Sequence, residues 1–146
     1  MELINENLIV LDANLRSKDE VINSICDQLI AEDRLSDRQL YLNDVYEREN
    51  VIPTSLGFSF AIPHAKSDGV KVASLVFIKL KNEIDWTETE KVKFIFGIGV
   101  PLAQAGVEHL AILSKLARKM MDEDFRNGLN YAKTKQDYLT LITSDL

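Results

Sequence analysis

The sequence predicts an α/β domain. Helical apolar spacing appears at both ends of the chain, and between those ends lie two long runs of β-branched and aromatic residues, 72–80 and 92–100. Length agrees: 146 residues fit one compact domain, 1–146, and leave little room for a second. No internal repeat, low-complexity tract or Pro/Gly/Ser-rich linker divides the chain.

The elements follow in order. Residues 8–11 form a short apolar stretch that fits a first strand. Ser17 followed three residues later by Glu20 reads as a capping box, and the apolar positions behind it, 21, 22, 25, 26, 29 and 30, keep helical spacing. A second box, Ser36 with Gln39, opens a helix running to about Asn50, with Leu40, Tyr41 and Val45 apolar and Leu42 marginal. Pro53 ends any helix there. Residues 58–62 read as a short strand. The run 72–80 is nearly continuous in apolar content, as expected of a strand covered on both faces. After Pro101 helical spacing returns, with Leu110, Leu113, Ala117 and Met120 on one side. Residues 122–131 read as a short helix, and Thr134 can cap a last one over 135–142. Propensity leaves the strand order open.

Composition narrows the function classes. Hydrophobic residues at 46% suffice for a core without disulfide or metal staples. A formal net charge of −6 argues against nucleic acid, which requires a basic face, and is compatible with a basic protein partner. The single cysteine, Cys26, lies among apolar residues and reads as a core hydrophobe. The first residues lack the basic segment and apolar core of a signal peptide, and no apolar run is long enough for a membrane span. These point to a cytoplasmic protein with no direct membrane insertion. No metal is implied, because two histidines and scattered carboxylates match no ligand spacing such as HExxH or paired CxxC. No GxxxxGK[ST] loop is present either.

The most informative segment is 47–65. His64 follows a strand-like Phe60-Ala61-Ile62 and the rigid Pro63, so it should sit where a strand ends, which is where α/β folds place ligand sites. Gly57 can supply a turn or a close backbone approach. On residue pattern alone, His64 stays open between a structural and a functional role. The segment resembles the phosphorylation-site signature of the fructose/mannitol family of enzyme IIA domains of the bacterial sugar phosphotransferase system. Glu49 stands at the acidic or amide position, Leu56-Gly57 follow, and Phe60-Ala61-Ile62-Pro63-His64 completes the core, with Ala65 next. Arg48-Glu49, Asp85-Trp86, Glu108-His109-Leu110, Phe125 and Leu129 extend the resemblance along essentially the whole chain. Two departures stand out: Pro53 where the family often has Ser, and Ser59 where it often has Gly, so Ser59 would be strained if that position needs a positive φ.

The resemblance implies a mixed β-sheet flanked by helices on both faces. It implies a phosphohistidine carrier without cofactor, in which His64 takes a phosphoryl group through Nε2 from the carrier protein HPr and passes it to a cysteine of a cognate IIB domain. The second ring nitrogen would be held by a backbone carbonyl. Arg48 and His109 would stabilise the phosphoryl group, with Thr54 a weaker hydroxyl donor. An apolar patch around His64 would meet the partners, drawing on Phe58, Phe60 and Ile62, although some of these must belong to the core. Asp68 reads as a turn residue before Gly69. The resemblance equally admits a regulatory protein of the family's nitrogen-related branch, in which the phosphorylation state of the same site controls partner binding. A hydrolase using His64 and His109 as acid and base lacks a motif for a nucleophile or metal-bound water.

Overall fold

A computed structural model describes residues 2–104, 106 and 109–146. Glu108, one residue of the resemblance above, lies outside the described set. The centre is an antiparallel pair, β5 (Ser74–Asp85) and β6 (Lys91–Pro101). β1 (Ile9–Ala13) lies parallel to β5 on one side. On the other side β3 (Phe60–Ala61) and β4 (His64–Ser67) both run parallel to β6, and β2 (Ser55–Gly57) closes the edge antiparallel to β3. The sheet is therefore mixed, as expected. The sequence shows β1, β3, β5 and β6 but not β2 and β4, which are too short and too polar to read as strands.

Among the described residues five helices cover it: α1 (Lys18–Ala31), α2 (Arg38–Val51), α3 (Leu110–Met121), α4 (Glu123–Tyr131) and α5 (Lys135–Thr143). β6 shows how both faces are served. Gly97 and Gly99 face α1 and α2, where a Cβ on Gly97 would come 2.7 Å from Ile25 and one on Gly99 would come 3.1 Å from the Tyr41 ring. On the opposite face Phe94 and Phe96 lie around Phe77, whose ring stacks on Tyr138 of α5 at 5.3 Å. Period-two alternation thus puts absent side chains beneath one helix layer and aromatic rings beneath the other. Among the described residues no helix is long and apolar enough to cross a membrane.

The local signals hold with four corrections. Ser17 caps α1 by accepting from the Glu20 N–H at 3.1 Å, but Glu20 reaches back to the Arg16 N–H rather than to that of Ser17. Ile30 lies on the solvent side of α1 while Val21, Ile22, Ile25, Cys26 and Leu29 are buried. The cap of α2 is Asp37, whose carboxylate accepts from the Leu40 N–H at 3.0 Å; Ser36 instead donates to the Asp68 carbonyl. In α3 the buried stripe is Ile112, Leu116 and Met120, so Leu110 and Ala117 point outward. Leu40 sits at the margin of burial, and Tyr41 and Val45 carry the core face of α2. Thr134 and Asp137 form the reciprocal capping box of α5.

Residues 57–59 all have positive φ: 83° at Gly57, 52° at Phe58 and 71° at Ser59. Ser59 does occupy the left-handed region, at a cost of about 1 kcal/mol for a residue with a Cβ. The expected strand 58–62 is shortened for this reason, and Phe58 lies exposed on the turn with Arg126 over its ring at 4.0 Å. Phe60 and Ile62 are core residues.

Candidate active site

β3 and β4 are two halves of one line along β6. Phe60 pairs with Phe94 and Ala61 with Ile95; after the break His64 pairs with Ile98, keeping the same register. Pro63 makes the break. Its carbonyl still accepts the Ile98 N–H at 3.1 Å, but it has no N–H to return to the ladder. His64 therefore opens a strand rather than ending one, and it is buried, 7% exposed. Its Nδ1 lies 2.7 Å from the Ile62 carbonyl oxygen. A carbonyl can only accept, so Nδ1 carries the proton and the Nε2 lone pair is free.

The loop before β3 is tied down by Glu49, the last member of the buried stripe Tyr41, Val45, Glu49 on α2. Its carboxylate accepts from the Thr54 N–H at 3.2 Å and from the Thr54 hydroxyl, and pairs with Lys18 Nζ of α1 at 2.8 Å. The single proton of the Thr54 hydroxyl is thus directed at Glu49, and Thr54 itself is buried.

His109 sits immediately before α3, its ring centroid 5.1 Å from that of His64 with 41° between planes. Its Nε2 is buried and has no hydrogen-bond partner among the described residues. An unpaired buried ring nitrogen costs energy unless something fills the gap. Arg48, in the last turn of α2, donates from Nη1 to the Ile52 carbonyl at 2.7 Å, which fixes the guanidinium beside the site. Arg48, His64, His109, Lys66 and the exposed Val51 line one cleft of about 410 Å³. The structure brings together three of the four residues singled out above, His64, Arg48 and His109, while Thr54 stands behind His64 in the loop. A larger cleft of about 540 Å³ near α3, α4 and α5 is lined by Lys115, Arg118, Lys119 and Asp122 without an imidazole or thiol, so chemistry selects the smaller one.

Charge follows from burial. Desolvation pushes His64 below the usual histidine range, with Arg48 acting in the same direction while the Ile62 hydrogen bond and Glu49 oppose it. His109 is also pushed down, first by burial and then by His64, Lys66 and Arg48. Nothing in the sequence pattern singles out Lys66. It alternates outward in β4 between the buried Ala65 and Ser67, a period-two signal that becomes readable only once β4 is known to be a strand.

Fold and site together define a mixed α/β domain built to present one neutral imidazole, by its Nε2, beside a guanidinium and a second imidazole. Residues 2–145 match the model of the family described as "Phosphoenolpyruvate-dependent sugar phosphotransferase system, EIIA 2". A fructose-specific EIIA component of Haloferax volcanii is 37% identical over 131 residues, covering 88% of this chain and 84% of that protein. Multiphosphoryl transfer protein 2 of Escherichia coli K12 is 34% identical over 99% of this chain, which spans only 17% of that protein's length. Among solved structures, the nitrogen regulatory protein IIA-Ntr of Neisseria meningitidis superposes with a TM-score of 0.87 at 29% identity, covering 97% of both chains. The chain belongs to the EIIA type 2 family of the phosphoenolpyruvate-dependent sugar phosphotransferase system.

Proposed function

We propose that this chain is a cytoplasmic phosphoryl carrier in phosphoenolpyruvate-dependent sugar uptake, with His64 as the covalent acceptor. The observation that carries the proposal is the His64 Nδ1 contact with the Ile62 carbonyl, which leaves Nε2 as an unprotonated nucleophile facing the cleft. The His64 Nε2 lone pair attacks phosphorus of phosphorylated HPr as the donor P–N bond breaks, and the donor ring, protonated at its other nitrogen, leaves with the electron pair as neutral imidazole. In the second transfer a thiolate of a cognate IIB domain attacks the same phosphorus, and His64 leaves as neutral imidazole. Arg48 supplies a permanent cation for the phosphoryl oxygens. His109 Nε2, the unpartnered nitrogen, offers them a hydrogen bond when it bears the proton. Thr54 contributes through Glu49 in the state described here, rather than by its own hydroxyl. Phosphoryl transfer between nitrogens and sulfur requires positioning and charge more than covalent help from the protein.

Incubation with phosphoenolpyruvate, enzyme I and HPr, followed by intact mass, tests this. Wild type should gain one acid-labile phosphoryl group and His64→Ala none. No adduct on wild type with several HPr-type donors would overturn the carrier reading. The likeness to a nitrogen regulatory IIA protein supports a second reading, in which phosphorylation changes partner binding instead of feeding a permease. Phosphate passing onward to a IIB domain favours transport; a phosphorylated chain that no IIB domain discharges favours regulation.

A further inference from the structure

Ser55 pairs with Ala61 across the β2–β3 ladder, so the next pair outward is Thr54 with Ile62. Half of that pair exists: the Ile62 N–H donates to the Thr54 carbonyl at 3.0 Å. In a complete antiparallel pair of this kind, the Thr54 N–H would donate back to the Ile62 carbonyl. It does not. The Thr54 N–H goes to Glu49 Oε2 at 3.2 Å, and the Ile62 carbonyl instead accepts from His64 Nδ1 at 2.7 Å. One diverted ladder bond thus releases the carbonyl that sets the histidine tautomer.

We infer that Glu49 is a positioning residue for His64: by capturing the Thr54 N–H it frees the Ile62 carbonyl, which holds Nδ1–H and keeps Nε2 unprotonated. Glu49 is suited to this because it is itself held from two sides. It occupies the core stripe of α2, 4% exposed, and its second anchor is Lys18 of α1, whose ammonium also lies over the Trp86 ring at 5.0 Å. A carboxylate that accepts from an N–H, a hydroxyl and an ammonium has little freedom to turn away. Remove it, and the Thr54 N–H is left to find a new acceptor, the nearest in the ladder being the Ile62 carbonyl. His64 Nδ1 would then have to share that carbonyl with the Thr54 N–H, and with its anchor weakened the ring would sample both tautomers and new orientations.

The consequence for transfer rests on the carrier reading; the tautomer claim does not, and its test is independent. The His64 ring is read by long-range proton–nitrogen correlation at a pH above its titration, in wild type, Glu49→Ala, Glu49→Gln and Thr54→Val. Wild type and Thr54→Val, which keeps the backbone N–H, should show a single Nδ1–H tautomer. Glu49→Ala should show a mixture, and Glu49→Gln, whose amide oxygen can still accept from the Thr54 N–H, should restore the wild-type pattern. Phosphorylation of Glu49→Ala by HPr should slow by about ten- to a hundredfold, the scale of a misplaced reacting group, with Glu49→Gln in between. An unchanged His64 tautomer in folded Glu49→Ala overturns the proposal. Should that variant not fold, wild type decides alone: a through-hydrogen-bond coupling between Thr54 N and the Ile62 carbonyl carbon overturns it, and a coupling from Thr54 N to the Glu49 carboxyl carbon upholds it. Wild type that shows the single tautomer yet takes no phosphoryl group leaves the positioning in place and removes the carrier.

Discussion

A histidine protonated at both nitrogens has no lone pair to offer, so the charge state of His64 decides its chemistry. Burial disfavours the imidazolium, and the Arg48 guanidinium adds to that, whereas the Ile62 carbonyl, which welcomes an N–H, pulls the other way. The balance leaves His64 below the ordinary value of 6.5, and His109 with it. Proton-detected titration should therefore put both midpoints below 6.5. Arg48→Ala should raise both; a wild-type midpoint at or above 6.5 would sink this account. Linkage fixes the effect on folding. Below pH 6.5 the unfolded chain takes up protons at these two positions that the folded chain resists, so the unfolded state is favoured as pH falls through 6.5 toward the folded values. Urea unfolding at pH 7.5 and 5.5 should show wild type losing more stability over that interval than a His64→Gln/His109→Gln variant, whose remaining loss belongs to carboxylates. Equal losses in the two proteins would refute the linkage.

Among the elements, β6 does the most to place the site, since it pairs with β3, β4 and β5 and carries a different side-chain programme on each face. The close approach of α1 depends on Gly97, where an added Cβ would fall 2.7–2.8 Å from three carbons of Ile25. Gly97→Ala should cost about 1–3 kcal/mol by overpacking. Ile25→Ala alone should cost about 2–5 kcal/mol by leaving a cavity. Because the new methyl would occupy part of that cavity, the double variant should lose at least about 1 kcal/mol less than the sum, measured by denaturant unfolding. Strict additivity would mean that Ile25 does not set the spacing. The same strand shows what sequence can reveal. Its aromatic, β-branched run announces a buried strand, and Ser17 and Thr134 announce helix starts, because propensity and capping are local. His64 stands out through a spaced signature that covers a whole loop, and Arg48 and His109 only through the wider resemblance along the chain; the structure brings the three to one cleft. Residues whose roles depend on pairing were not. β4 exists only because β6 offers it a ladder, Lys66 faces outward only because β4 is a strand, and the cap of α2 shifted to Asp37 because Ser36 found the Asp68 carbonyl. The Thr54 hydroxyl reads as free in sequence and is committed to Glu49 in space, since the buried face of α2 ends in a carboxylate.

At the scale of the whole molecule, two fields overlap at the cleft. The chain carries a net −6, and the cleft itself is mixed: Arg48 and Lys66 place two cations beside His64, where they suit a phosphoryl group, while Asp44 and Glu47 on the same walls join the acidic wider surface that suits a basic partner. Around that cleft the chain exposes apolar side chains at the ends of two helices: Val51 at 71% at the end of α2, Ile52 at 65% just beyond it, and Leu110 at 67% at the start of α3, next to His109. These positions contribute little to the core, so their exposure costs the folded chain nothing that polar residues would recover. On the proposed carrier reading, a donor that approaches His64 over these side chains removes apolar surface from water. Val51→Ser/Leu110→Ser should therefore lower the second-order rate of phosphorylation by HPr about tenfold, in line with the loss of one or two modest interface anchors. The rate at saturating HPr should stay near wild type, and the unfolding free energy should move by no more than about 0.5 kcal/mol, as for surface substitutions generally. Stopped-time quenching over a range of HPr concentrations separates the two rates. If only the saturating rate falls, these side chains act on the histidine pair rather than on docking; if neither rate changes, the partner approaches His64 from another side of the cleft.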